Sequence, residues 1–292
     1  MCDNDSMNDM VEYNLRAGGL SRRQFGALTL GAGLASAIAP MANAADMKES
    51  EVEIKTPDGT ADAYLVNPAT GKHPGVLVWP DIFGLRPAFR QMGKRLAESG
   101  YTVLVVNPFY RTKKAPTAPE HPDFNDAPTR QMLLGLMGTL SPKTTETDAK
   151  TFIPYLDSLP SVDKKRKIGT TGYCMGGPLV FETAAAVPDR VGAGATFHGG
   201  GLVTDKPDSP HLLIPKMKAS YLIAIAENDD QKQPDAKTVL RDSFARAKLK
   251  AEIEVYKGTL HGWCPPDSQV YNQEQAEKAW SRLLVLFKTA LA

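Results

Sequence analysis

The sequence predicts an α/β domain of three layers, a mostly parallel sheet between helices. Three observations lead there. Short apolar, β-branched runs alternate with stretches of helical period along most of the chain. The later runs are almost continuously apolar, as strands covered on both faces must be. Residues 169–180, GTTGYCMGGPLV, read as strand, sharp turn and helix in succession, with a proline in the first helical turn, where it is tolerated.

Taken in order, the chain opens with a polar stretch and then SRRQFGALTLGAGLASAIAPMANA at 21–44. The apolar part, 25–39, is too short to cross a bilayer comfortably. Arg22 and Arg23 after Ser21, Phe25 beyond the pair, and Ala42-Asn43-Ala44 before Ala45 match the three parts of a twin-arginine export signal. Residues 1–44 are therefore expected to be a cleaved signal leading to the periplasm or the exterior, with no stable membrane anchor after its removal. Residues 45–292 are expected to form one domain.

Strands are predicted at 52–54, 63–66, 76–79, 102–106, 167–171, 191–197, 221–226 and 253–256. The first two alternate like an exposed hairpin, so the sheet should be antiparallel at its start and parallel afterwards. Helices are predicted at 88–98, 147–158, 178–186, 235–248 and 273–291; in the last, Ala276, Trp280, Leu283, Leu284, Phe287 and Leu291 make one apolar stripe. Such an alternation demands right-handed crossovers. Residues 111–143, rich in Pro, Thr and Lys around a short apolar stretch, are too long for an ordinary connection and are expected to be a lid-like excursion.

Charge excludes one class of partner. With 34 Lys+Arg against 33 Asp+Glu and no basic run, the chain has no footprint for nucleic acid, and small or neutral substrates are expected. The three cysteines, one of them inside the signal, are no disulfide framework. No C-x-x-C and no pair of histidines at i, i+4 occurs, so no metal site is predicted.

Chemistry concentrates at Cys174. Gly172-Tyr173-Cys174-Met175-Gly176 is a nucleophile elbow, G-x-S-x-G with Cys for Ser, and the glycines let strand and helix approach around a strained residue. A thiol is only a few per cent ionised at neutral pH, so a base is required. On such sheets the chain order is nucleophile, acid, base. His261 lies just past the strand at 253–256, and Glu227, Asp229 and Asp230 lie just past the strand at 221–226, at the strand ends where open α/β sheets build their sites. His198 precedes every acid candidate and is expected to be a pocket residue. The backbone amides of Met175 and Ile82 are the candidate oxyanion donors. Asp81 either accepts a hydrogen bond from the thiol, holding it neutral until substrate arrives, or caps its loop.

Asp81-Ile82-Phe83-Gly84, Gly172-Tyr173-Cys174-Met175-Gly176-Gly177, Asp229 and His261-Gly262-Trp263 together resemble the dienelactone hydrolases over about residues 50–292. The resemblance implies an α/β-hydrolase fold, no cofactor, and hydrolysis of a lactone or ester by Cys174 as nucleophile, His261 as base and Asp229 as the acid that orients it. It also places Phe83, Tyr173 and Trp263 near the pocket. The namesake enzymes carry glutamate at the position of Asp81, and a substrate-carboxylate arginine where this chain has Pro265; Arg111 and Arg130 are the candidates to replace it. Two other functions compete with an esterase. One is a thiol redox protein pairing Cys174 with Cys264, and the other is a binding protein on a hydrolase fold.

Overall fold

The computed structural model describes residues 46–120 and 122–292; the expected export signal lies outside them. Eight strands form one sheet: β1 (Met47–Thr56), β2 (Gly59–Pro68), β3 (Gly75–Trp79), β4 (Thr102–Val106), β5 (Ile168–Tyr173), β6 (Val191–Phe197), β7 (Ser220–Ala226) and β8 (Ala251–Tyr256). Their order is β1-β2-β4-β3-β5-β6-β7-β8. β1 and β2 make an antiparallel hairpin, β2 is antiparallel to β4, and every later pairing is parallel. β1 is largely exposed, whereas β3, β4 and β5 are buried along their whole length, which explains their unbroken apolar character.

Helices α1 (Pro87–Glu98) and α7 (Gln273–Ala290) cover one face of the sheet, their Phe89, Leu96, Leu283 and Phe287 packing on Val76, Val78 and Val105. On the other face α3 (Pro142–Ser158), α4 (Gly176–Ala186) and α6 (Ala236–Arg246) bring Phe152, Phe181 and Phe244 against Leu77, Leu104 and Ile223. The stripe of α7 is core, as its period predicts.

Two helices that the residue pattern does not suggest are present. α2 (Ala127–Met137) lies inside the 111–143 excursion, started by the side chain of Asp126, which accepts from Thr129 N, and by Pro128 in its first turn. α5 (Glu227–Lys232) is a short turn directly after β7. α3 also begins five residues before its predicted start, because Ser141 and Thr144 cap each other's backbone.

β3 continues to β4 on one side, while β5 lies against β3 on the other. The chain therefore switches direction across the sheet at β3 and β5, and a crevice opens at their carboxyl ends.

Candidate active site

At the end of β5 the backbone turns abruptly. Cys174 has φ 53°, a left-handed conformation unfavourable for a residue with a Cβ. It is held there by hydrogen bonds from its N–H to Phe197 O, 3.0 Å, and from Gly177 N–H to its carbonyl, 3.0 Å. The glycines around it are steric necessities. A Cβ on Gly172 would stand 2.0 Å from Gly176 O, and one on Gly176 2.4 Å from Trp79 O. Strand, elbow and the loop after β3 are thus in backbone contact.

The imidazole of His261 arrives from beyond β8, three strands along the sheet from β5. β7 and β8 pair in register to their last residues, Ala226 opposite Tyr256, so the segments that follow emerge side by side. Asn228, buried on α5, accepts from His261 N–H at 2.9 Å, and His261 Nδ1 donates to Asp229 Oδ2 at 2.8 Å. The neighbouring acids are engaged elsewhere: Asp230 with Lys237 Nζ at 2.6 and 2.9 Å, Glu227 with Gly258 N–H at 3.0 Å. The side chains of His261 and Cys174 are also hydrogen-bonded. Burial alone would depress the His261 imidazole, but the Asp229 carboxylate and the Cys174 sulfur outweigh it and raise its pKa to about 10.

Ile82 is packed in one cluster with Cys174 and Met175. The same cluster contains Ala118, Phe124, Leu133 and Leu136, so the 111–143 excursion lies directly over the elbow. Phe83 packs at the edge of this cluster and meets Phe124 edge-on at 6.3 Å.

Asp81 forms a buried ion pair. Its two oxygens accept from Arg86 Nη1 and Nη2, and Oδ1 also accepts from Phe83 N–H at 3.0 Å, the capping role open to an aspartate in such a loop. Arg86 reaches at the same time to Asp267, in the loop that follows His261. The sequence reading missed Arg86, Asp267 and Asn228. A buried carboxylate needs a partner, so Asp81 was the signal that could have pointed to Arg86, five residues on.

The remaining candidates divide. Tyr173, His198 and Trp263 are fully buried behind His261: Tyr173 stacks on Phe197 at 4.9 Å, and His198 meets His261 at 5.1 Å and Trp263 at 6.3 Å. They form a supporting wall rather than a solvent-facing surface. Burial, with the His261 charge added, keeps His198 well below the usual histidine range and therefore uncharged. Arg111 is bound by Asp58 and Asp148 and covers Tyr110, and Arg130 donates to Phe124 O at 3.4 Å. Neither Cys174 nor Cys264 is in a disulfide, and burial pushes the Cys264 thiol pKa far up. Among the described residues no cluster of His, Cys, Asp and Glu could hold a metal ion, and no helix is long and apolar enough to cross a membrane.

The chain is similar to known proteins over most of its length. A sequence profile described as the dienelactone hydrolase family matches residues 61–291. A Synechocystis protein assigned as a carboxymethylenebutenolidase is 29% identical over 253 residues, covering 84% of this chain and 98% of its own. A protein from Methylorubrum extorquens with the same assignment is 28% identical over 282 residues, covering 92% and 93%. Among solved structures, one assigned as a dienelactone hydrolase from Klebsiella pneumoniae superposes with a TM-score of 0.73 at 23% identity, covering 83% of this chain and 99% of that one. At that identity the likeness speaks for the fold.

Proposed function

Because the chain belongs to the dienelactone hydrolase family, we propose that it hydrolyses a small lactone or carboxylic ester through Cys174, with His261 as base and Asp229 orienting it. The observation that supports this reading is the linked pair of side-chain contacts at His261, Nδ1 to Asp229 and a second hydrogen bond shared with a cysteine on a strained elbow. Asp229 selects the tautomer and stabilises the imidazolium.

In this reading His261 takes the thiol proton and the thiolate attacks the carbonyl carbon. The oxyanion that forms lies against the N–H groups of Met175 and Ile82, the second held by a loop that Arg86 braces. As the C–O bond breaks, His261 returns the proton to the leaving alkoxide, which in a lactone stays tethered as a hydroxyl. Water, deprotonated by His261, then cleaves the thioester and frees the carboxylate and the thiol. The 111–143 excursion over the elbow limits water there, which strengthens each of these charge interactions.

The test is hydrolysis of short p-nitrophenyl esters and a dienelactone by residues 45–292, alongside Cys174→Ala, with mass spectrometry of the quenched enzyme. Turnover, an acyl adduct on Cys174, and a loss of more than about 10³-fold in Cys174→Ala are expected. Full activity in Cys174→Ala would refute the reading.

We further propose that residues 1–44 direct export by a twin-arginine-type route, supported by Arg22-Arg23, the short apolar run and Ala42-Asn43-Ala44. Unchanged periplasmic delivery of an Arg22→Lys, Arg23→Lys chain counts against it.

A further inference from the structure

Beside the elbow lies a cavity of about 280 Å³ with apolar walls from Met137, Leu140, Met175, Pro178 and Leu179. It abuts the nucleophile: Met175 follows Cys174, and Gly200, also in the wall, donates its N–H to Cys174 O at 3.4 Å. Lys206 and Asp208 stand exposed in its lining with opposite charges, whereas Glu182, on α4, is the buried acid of the cavity.

Glu182 is only half satisfied by the fold. Its side chain bonds to Thr145, yet Oε2 is shut from water with no hydrogen-bond partner. Burial, reinforced by Asp208, pushes its pKa up to about 7. A carboxyl kept in this condition costs stability that a leucine would not, and groups retained at such cost cluster at binding sites. The last torsion of a glutamate is soft, so either oxygen can turn to the lumen.

We propose that this cavity receives one arm of the substrate and that Glu182 selects arms ending in a hydrogen-bond donor, a hydroxyl or ammonium group, over arms ending in methyl or carboxylate. The apolar walls take the alkyl part, and the donor head supplies the partner that Oε2 lacks. A carboxylate head would face the acid instead. Glu182 lies six residues along the helix from Gly176, about 9 Å, so the arm should span about seven bonds.

The proposal rests on the hydrolase reading for its kinetic test, in which kcat/KM is measured for p-nitrophenyl esters of matched acyl chains of about that length, ending in methyl, hydroxyl, ammonium or carboxylate. In the parent enzyme the hydroxyl and ammonium esters should exceed the methyl ester about tenfold, with the carboxylate ester slowest. Glu182→Leu should bring these ratios towards one, and Glu182→Gln should keep the hydroxyl preference while losing the ammonium one. Ratios that are flat in the parent, or unchanged in Glu182→Leu, would overturn the assignment. Calorimetry of hexan-1-ol, hexylammonium and hexanoate with Cys174→Ala protein, with and without Glu182→Leu, tests the pocket without turnover. If no ester is hydrolysed while the donor preference in binding is present and depends on Glu182, the hydrolase reading fails and the pocket stands. A binding series with no such dependence removes the pocket.

Discussion

Arg86 donates two parallel hydrogen bonds to Asp81, Nη1 to Oδ1 at 2.6 Å and Nη2 to Oδ2 at 2.9 Å, and both side chains are about nine-tenths buried. The same guanidinium grips Asp267 through Nε and Nη2 and lies over the rings of Phe83 and Phe89. One side chain thus ties the loop carrying Ile82 to the segment following His261.

Breaking that clamp should be expensive. Arg86→Met leaves Asp81 buried without its countercharge and should lower stability by about 3–5 kcal/mol, measured by urea unfolding. Adding Asp81→Asn should restore part of the loss, since the uncompensated charge then disappears. Arg86→Lys should fall between, because an ammonium cannot fork onto two carboxylates. Additive losses in the double variant would show that the two residues are uncoupled.

At the elbow, Gly172→Ala places a methyl 2.0 Å from Gly176 O. Backbone must move, so this change should cost about 3 kcal/mol or more and abolish turnover even in the protein that still folds. A soluble variant with parental melting temperature and activity would contradict the packing described.

The pH dependence of stability has a definite sign. The folded pKa of His261, about 10, exceeds its unfolded value, so its contribution is complete below about pH 6.5 and is lost as pH rises through the folded value. Between these limits folded His261 holds a proton that the same imidazole releases in the unfolded chain. The urea midpoint should therefore fall more between pH 6.5 and 9.5 in the parent than in Asp229→Asn, where the raising carboxylate is gone. Equal slopes for the two proteins would mean that Asp229 does not hold the imidazolium.

Cys264 separates the hydrolytic chemistry from a redox one. It is buried with its thiol pKa pushed up, a poor thiolate. Cys264→Ala should retain ester turnover and iodoacetamide labelling of Cys174, with a stability loss of about 1–2 kcal/mol for the small void. Labelling of Cys174 that collapses with Cys264 removed would revive a dithiol function.

Much of this molecule is legible in one dimension. The strands β3 to β8, the crossover helices and the antiparallel start follow from periodicity, because burial on both faces or on one leaves a pattern along the chain. The elbow is legible too, since a left-handed cysteine needs glycines at fixed offsets, and so is the order of Cys174, Asp229 and His261. What neighbours in sequence could not decide is which of three acids within four residues meets His261. The pairing of β7 with β8 and the short turn of α5 decide it, sending Asp230 to Lys237, Glu227 to Gly258 and Asp229 to the imidazole. Likewise the Arg86 clamp joins residues 181 positions apart, and the Glu182 cavity is closed by chain segments from α2, α4 and the loop after β6. Local pattern specifies elements because it records burial; the partner of a charge is chosen only when distant segments are brought within a few ångströms and every buried polar group must find its complement.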